Sequence, residues 1–375
     1  MSKKAVHIVA FDIPFPPTYG GVIDIFHKIR CLHKMGAEIF LHAFEYNRSQ
    51  ASELALLCKE IYYYPRTRHP ILLLKPQPFI VASRMNKNLE KRLLEDNYPI
   101  LFEGLHTCAA LLNPDIQKKH CIVRTHNIEH EYYRALAMHN TGALKQWYYL
   151  SEARKLSAFE QILARSSGIA AISSNDASYF NRLFGYARWI PPFHPEDSVT
   201  AEIGKGDYAL YHGNLKVEEN NRSALFLIEQ IFSKIHYRLI IAGQNPSKTL
   251  KSAISKYKHV QWVAPESQEQ MNALISDAQM HVLPSFQSTG IKLKLLHALY
   301  KGRHCIVNDT MLEGTGLNNL CVIANNSDEW ITAIERLQTV PFQETDLRKR
   351  EQGLQTYDNY HVAVMLGQML WLDQE

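Results

Sequence analysis

The sequence predicts an α/β protein made of two doubly wound, parallel-sheet domains. Three observations predict it. Short apolar runs bounded by turn residues alternate with amphipathic helical segments from end to end. Strands separated by helices cannot close as hairpins, so they run parallel with helices on their faces. At 375 residues the chain is long for one core, and the alternation breaks once, at 186–198, in a stretch with three prolines.

The first series opens with AVHIVAF (5–11), a buried-strand run. A helix over 22–35 follows, with Val22, Ile25, Phe26, Ile29 and Leu32 at helical spacing and Gly36 as its stop. Strands are predicted at 37–44, 99–104, 121–125 and 168–173, with helices around 129–139 and 143–165. The second series places strands at 208–213, 238–243, 260–264, 280–285, 305–309 and 321–325. Its helices fall at 220–234, 247–257, 266–278, 291–301 and 327–338, and 344–373 reads as helical. These patterns give domains at 1–190 and 191–343, with a closing segment over 344–375. Such a pair offers a cleft, with ligands at the carboxyl ends of the strands.

Composition narrows the class. Hydrophobic content of 46%, 21% charged residues and a net charge of +4 describe a globular chain with no bias toward nucleic acid. No 18-residue apolar run predicts a membrane span, and the apolar part of the N-terminus is too short for a signal peptide. Six cysteines without a C-x-x-C pair read as reduced thiols, which predicts a cytoplasmic protein. Segment 66–88 mixes aliphatic residues with Arg66, Arg68, Lys75, Arg84 and Lys87. It reads either as a peripheral contact with the inner face of an anionic membrane or as a long, partly buried loop with solvated basic edges.

The most telling stretch is 280–309, where a strand, a turn through Thr289, Gly290 and Ile291, and a helix follow in order. A helix N-terminus leaves unpaired N–H groups and favours negative charge. Lys292 and Lys294 oppose that dipole, so an anionic ligand is the natural reason for them. Gly20 and Gly21 follow the first strand, either admitting a ligand to the backbone or only turning the chain. Glu103, His106 and His126 lie at two strand ends, where catalytic groups gather, although strand-end polar residues also cap helices. His126-Asn127-Ile128-Glu129-His130 spells an inverted zinc-hydrolase motif. Its first His follows a strand directly, so the two His need not share one helix, and the expected metal set is none. Gly213, Asn214, Lys216 and Arg222 open the second series, Gly243 follows its second strand, and Trp262 and Val263 end its third.

Segment 280–309 resembles the donor-binding segment of retaining, GT-B-fold glycosyltransferases of the family-four type. Pro284, Ser285, Gly290, Lys294, Leu295, Leu296, Ala298, Leu299, Gly302 and Val307 fit its pattern, and the loop 16–21 and the turn IAGQNPS (241–247) resemble further parts of that family. The resemblance implies two Rossmann-like domains facing a central cleft, the last helix crossing back to the first domain. It implies transfer of a sugar, with retention, from a nucleotide-diphosphate sugar to a hydroxyl of a glycan or lipid-linked acceptor, in polysaccharide or glycoconjugate synthesis. No cofactor is expected, the nucleotide sugar being a co-substrate. No D-x-D triplet occurs, in keeping with a metal-independent reaction. His106 or His126 would orient the sugar. Gly213, Asn214, Lys216, Gly243, Val263, Thr289, Gly290, Ile291, Lys292, Lys294 and His297 would meet the donor.

The chain also departs from that family. Its two motif glutamates fall on Thr289 and His297, an expected Arg on Asn214, and an expected Lys near Glu219. The competing expectation is therefore a GT-B protein that binds nucleotide or sugar without catalysis.

Overall fold

The computed structural model describes residues 4–139, 142–287 and 292–371. Among the described residues the chain divides into two compact units, one of 4–195 with 359–371 and one of 196–287 with 292–358. The division falls at 195/196 where the sequence reading places it at 190/191. Of the expected closing segment, 344–358 belongs to the second unit and only Asn359–Trp371, one helix, to the first.

Among the described residues the first unit holds seven strands: β1 (Ala5–Ala10), β2 (Glu38–Glu45), β3 (Glu60–Pro65), β4 (Ile100–Glu103), β5 (Cys121–Thr125), β6 (Gly168–Ala171) and β7 (Ala187–Trp189). All pairs are parallel, in the order β3-β2-β1-β4-β5-β6-β7. The order reverses between β1 and β4, which makes their carboxyl ends the switch point. Val6, Ile8 and Ile29 pack one face of β1, and Val9, Phe102 and Val123 pack the other. The helix Gly20–Lys34 buries Ile25, Ile29 and Leu32 as its 3.6-residue spacing requires, and packs against Asn359–Trp371. The Trp371 indole N–H donates to Ala5 O at 3.0 Å.

Two strands escape the sequence reading. β3 pairs only with β2 and is rich in tyrosine without alternation. β7 is a short edge strand inside the proline-bearing stretch read as linker, where Ala187 pairs with Ile169. Prolines 191 and 192 lie just beyond it, as edge strands tolerate.

A polar chain crosses the buried face of β1–β3. Tyr64 OH lies 2.9 Å from His42 Nδ1, His42 Nε2 2.9 Å from His7 Nδ1, and His7 Nε2 3.0 Å from Asp96. Each ring nitrogen is satisfied only if every proton points the same way. Tyr64 donates to His42, His42 to His7, and His7 to Asp96, with both rings neutral.

The second unit carries β8 (Ala209–His212), β9 (Leu239–Ala242), β10 (Val260–Val263), β11 (Met280–Leu283), β12 (His304–Val307) and β13 (Val322–Ile323). These too are all parallel, in the order β10-β9-β8-β11-β12-β13, with the switch point between β8 and β11. The expected helix 220–234 is a helix Glu218–Phe226 continued by a π turn at Leu227–Phe232. Among the described residues no helix is long and apolar enough to cross a membrane.

Candidate functional site

In the first unit the expected residues flank the switch point. Gly20 and Gly21 begin the helix after β1, and a Cβ on Gly21 would stand 2.6 Å from the Phe11 ring. Gly21 is thus required by the close approach of Phe11. Asp12, in the same loop, is buried and accepts from Tyr19 OH at 2.7 Å. The Phe11 ring lies between the two candidate histidines, 5.1 Å from His106 and 5.5 Å from His126.

Those histidines differ in their surroundings. His126 joins a buried ionic cluster. Lys28 Nζ lies 2.6 Å from Glu103 and 2.9 Å from Asp24, and Arg124 Nη2 lies 3.0 Å from Asp24. His126 Nε2 is 3.3 Å from Asp24 Oδ2, in an aligned bond, and also 3.3 Å from Glu103 Oε2, which makes no aligned bond. Burial alone would raise the Asp24 carboxyl, but Arg124, Lys28 and His126 outweigh it and hold it well below the usual range. Glu103 is lowered against the same burial, chiefly by Lys28. Burial opposes charge on His126, yet Asp24 and Glu103 outweigh it and raise its pKa, favouring the cationic form. The cluster also anchors the chain leaving β7, because Arg124 donates to Pro191 O and Asp24 accepts from Phe193 N–H.

His106 is the less committed ring. Its Nδ1 is buried without a hydrogen-bond partner among the described residues, 3.9 Å from Glu129 Oε1. Burial, with Arg84 nearby, lowers its pKa, and burial pushes the Glu129 carboxyl up to about 7. Gly104 holds φ +71, and a Cβ there would meet His106 Nδ1 at 2.9 Å, so the glycine fits both the backbone and the ring.

The zinc-motif residues do not converge. His126 turns to Asp24 and Glu103, while His130 Nδ1 turns to Glu160 at 3.2 Å. Asp24, Glu103 and His126 offer three donor atoms within 4.8 Å of one another. Lys28 and Arg124 already neutralise those two carboxylates, so the set does not fit a dication without expelling a buried cation.

In the second unit the expected residues surround the β8/β11 switch point. Gly213 ends β8, and Gly243, at φ +156, ends β9. A Cβ on Gly243 would collide with Gly213 O, so the two turns touch through backbone. Asn214 closes its own turn, accepting from Lys216 N–H and, at its carbonyl, from Asn220. Lys216 and Arg222 are exposed, and Arg222 stacks on Phe286 at 4.6 Å. Val263 O accepts from Gly243 N–H. Trp262 is 37% exposed and donates to Gly243 O at 2.8 Å, so it brackets the turn instead of filling the core.

Lys292 is the N-cap of the helix Leu293–Lys301. Lys294, half-buried, donates to Asn220 Oδ1 and to Tyr211 OH at 3.2 Å. Burial lowers its pKa to about 8, with Glu219 opposing the shift and Lys292 adding to it. Glu219 Oε1 accepts from Phe286 N–H at 2.7 Å, pinning the loop after β11. His297 Nε2 lies 3.2 Å from Glu196 and 3.1 Å from Asn272. Thr289, Gly290 and Ile291 lie outside the described residues.

Sequence reading missed Asp24, Lys28, Arg124 and the role of Glu129. A signal existed for Lys28, which sits three residues after Ile25 and four before Leu32 on an apolar helix face. A charged residue there demands a buried partner.

Residues 206–339 match the family model described as glycosyl transferases group 1. A Klebsiella pneumoniae protein, "Uncharacterized 44.6 kDa protein in cps region", is 26% identical over 343 residues, covering 85% of this chain and 87% of that one. The fold is similar to that of TarM, with TM-score 0.67 and 12% identity over 100% of this chain and 99% of that one. It is also similar to Anabaena Alr3699/HepE, solved with UDP and glucose, with TM-score 0.64 and 11% identity over 98% and 99%. The fold is GT-B, and these matches together support a GT-B glycosyltransferase.

Proposed function

We propose that this chain transfers a sugar, with retention, from a nucleotide-diphosphate sugar to a hydroxyl of a glycan or lipid-linked acceptor during cell-surface polysaccharide synthesis. The observation that carries the reading is the coincidence of two placements. The family match spans 206–339, and inside it Gly213, Gly243 and Lys294 gather at the β8/β11 switch point. Lys294 would stabilise the departing diphosphate without a metal ion, since a preorganised ammonium is worth most where water is excluded. The neighbour solved with UDP and glucose and the relative from a cps region support donor and pathway class.

Of the two histidines, His106 suits the sugar-orienting role, because its Nδ1 lacks a partner among the described residues while His126 is committed to two carboxylates. A second reading, a binding protein without turnover, is favoured by one feature. The lysine expected from the resemblance falls near Glu219, whose carboxylate instead bonds the loop after β11.

The experiment is a thermal-shift panel of nucleotides and nucleotide sugars, followed by product analysis with glycan and lipid-linked acceptors. A ligand at about 100 times its Kd adds about 2.7 kcal/mol. Stabilisation by one diphosphate series with a donor-dependent product supports the transferase. Stabilisation without product supports the binding protein, and no stabilisation by any series rejects both.

A further inference from the structure

The helix Ala143–Phe159 has the wrong face outward. Its buried residues are Glu152, Ala153 and Leu156, while Leu144 is 86% exposed, Trp147 70% and Leu150 46%. At 100° per residue Leu144, Trp147 and Leu150 fall within roughly 120° of one another. They form one apolar stripe facing solvent. The 3₁₀ segment Pro70–Leu74 lies against the same helix, because Lys155 Nζ donates to Leu73 O at 2.6 Å and Glu152 accepts from Phe79 N–H. That segment exposes Ile71, Leu73 and Leu74, the last at 85%.

Charge decides what the surface fits. Arg154 is exposed on the face of the stripe, Lys145 is exposed next to Leu144 in the chain, and Arg68 and Lys75 are exposed in the adjoining segment. Residues 66–88 contain no Asp or Glu, and the only carboxylate in 143–159 is the buried Glu152, 3.0 Å from Lys155. A symmetric self-interface would set this patch against its own copy, bringing cations together with no exposed carboxylate from these two segments to pair them. An anionic bilayer complements both features. Leu and Trp enter the headgroup boundary while Lys and Arg reach lipid phosphates.

We propose that Leu144, Trp147 and Leu150, with Ile71, Leu73 and Leu74, form a surface that docks on an anionic lipid bilayer. It fits a lipid-linked acceptor, yet it stands independently of sugar transfer and is read without any nucleotide.

The test is flotation of the full chain with phosphatidylcholine vesicles, with and without phosphatidylglycerol, while Trp emission is followed. Binding to the anionic vesicles alone, weakened by salt and accompanied by a blue shift that Trp147→Phe removes, is the expected result. Lys145→Gln and Arg154→Gln should each weaken binding roughly fivefold, and Leu144→Glu with Trp147→Glu should abolish it. These side chains are exposed, so the variants should keep the parent's melting temperature, and only variants that do so are compared. No binding to anionic vesicles overturns the proposal, as does undiminished binding of the Leu144→Glu/Trp147→Glu variant. Self-association in sedimentation velocity that the same substitutions abolish would assign the face to a second copy instead.

Discussion

Lys28 and Glu103, 75 residues apart in sequence and both fully buried, meet at 2.6 Å. Their contact ties the helix after β1 to the end of β4, and through Asp24 and Arg124 it reaches the chain leaving β7.

Breaking that pair should be costly. Glu103→Leu alone leaves Lys28 without one of its two carboxylates, and loss of about 3–5 kcal/mol is expected. Lys28→Met with Glu103→Leu removes both charges and should lose less than Glu103→Leu alone. Urea unfolding of the two variants checks the order, and a larger loss in the double variant would contradict it.

Acid should destabilise the protein through its buried neutral histidines, with the raised Glu129 carboxyl and His126 opposing part of the loss. Burial lowers the pKa of His7 and His42, and brings His27 and His281 to about 3. A base with a folded pKa below its unfolded value of about 6.5 binds more protons unfolded. Its contribution is complete above about pH 6.5 and is lost as pH falls toward the folded pKa. Unfolding free energy should therefore drop between about pH 7 and about pH 5, and His281→Gln should shallow the slope.

Gly243→Ala should cost at least about 1–3 kcal/mol. The backbone is at φ +156, and the new methyl would overlap a carbonyl oxygen, that of Gly213, which cannot swing aside. Melting temperature checks this. Nucleotide affinity should fall as well, because the Gly213 and Gly243 turns move together.

Lys294 should make diphosphate binding depend on alkaline pH. Its ammonium carries charge below about 8 and loses it above. Calorimetric affinity for the stabilising nucleoside diphosphate should fall as pH rises through that value. Lys294→Met should bind roughly 10–100-fold more weakly, as for loss of one charged hydrogen bond, with a flat profile.

Much of this architecture is written locally. The strands around Ile8, Ile122, Ile240 and Val282 are short apolar runs between turn residues, and the helices repeat their apolar residues at helical spacing. What escaped was nonlocal or lay at an edge. Glu60–Pro65 has no alternation because its only neighbour is β2, and the prolines after Trp189 hid a three-residue strand. At the site, strand ends pointed to His106 and His126, but nothing near either in sequence distinguishes them. The difference comes from Asp24, 102 residues before His126, brought there by the parallel register of β1, β4 and β5. His297 likewise meets Glu196 only through the fold.

The helix Asn359–Trp371 has a consequence for biosynthesis. It completes the unit that the first 195 residues begin, so the whole stretch 196–358 must be translated before its first residue exists. At about 5–20 residues per second, that interval is on the order of ten to thirty seconds. Throughout it, the nascent chain carries the uncovered flank of the helix Gly20–Lys34, a natural target for ribosome-associated chaperones.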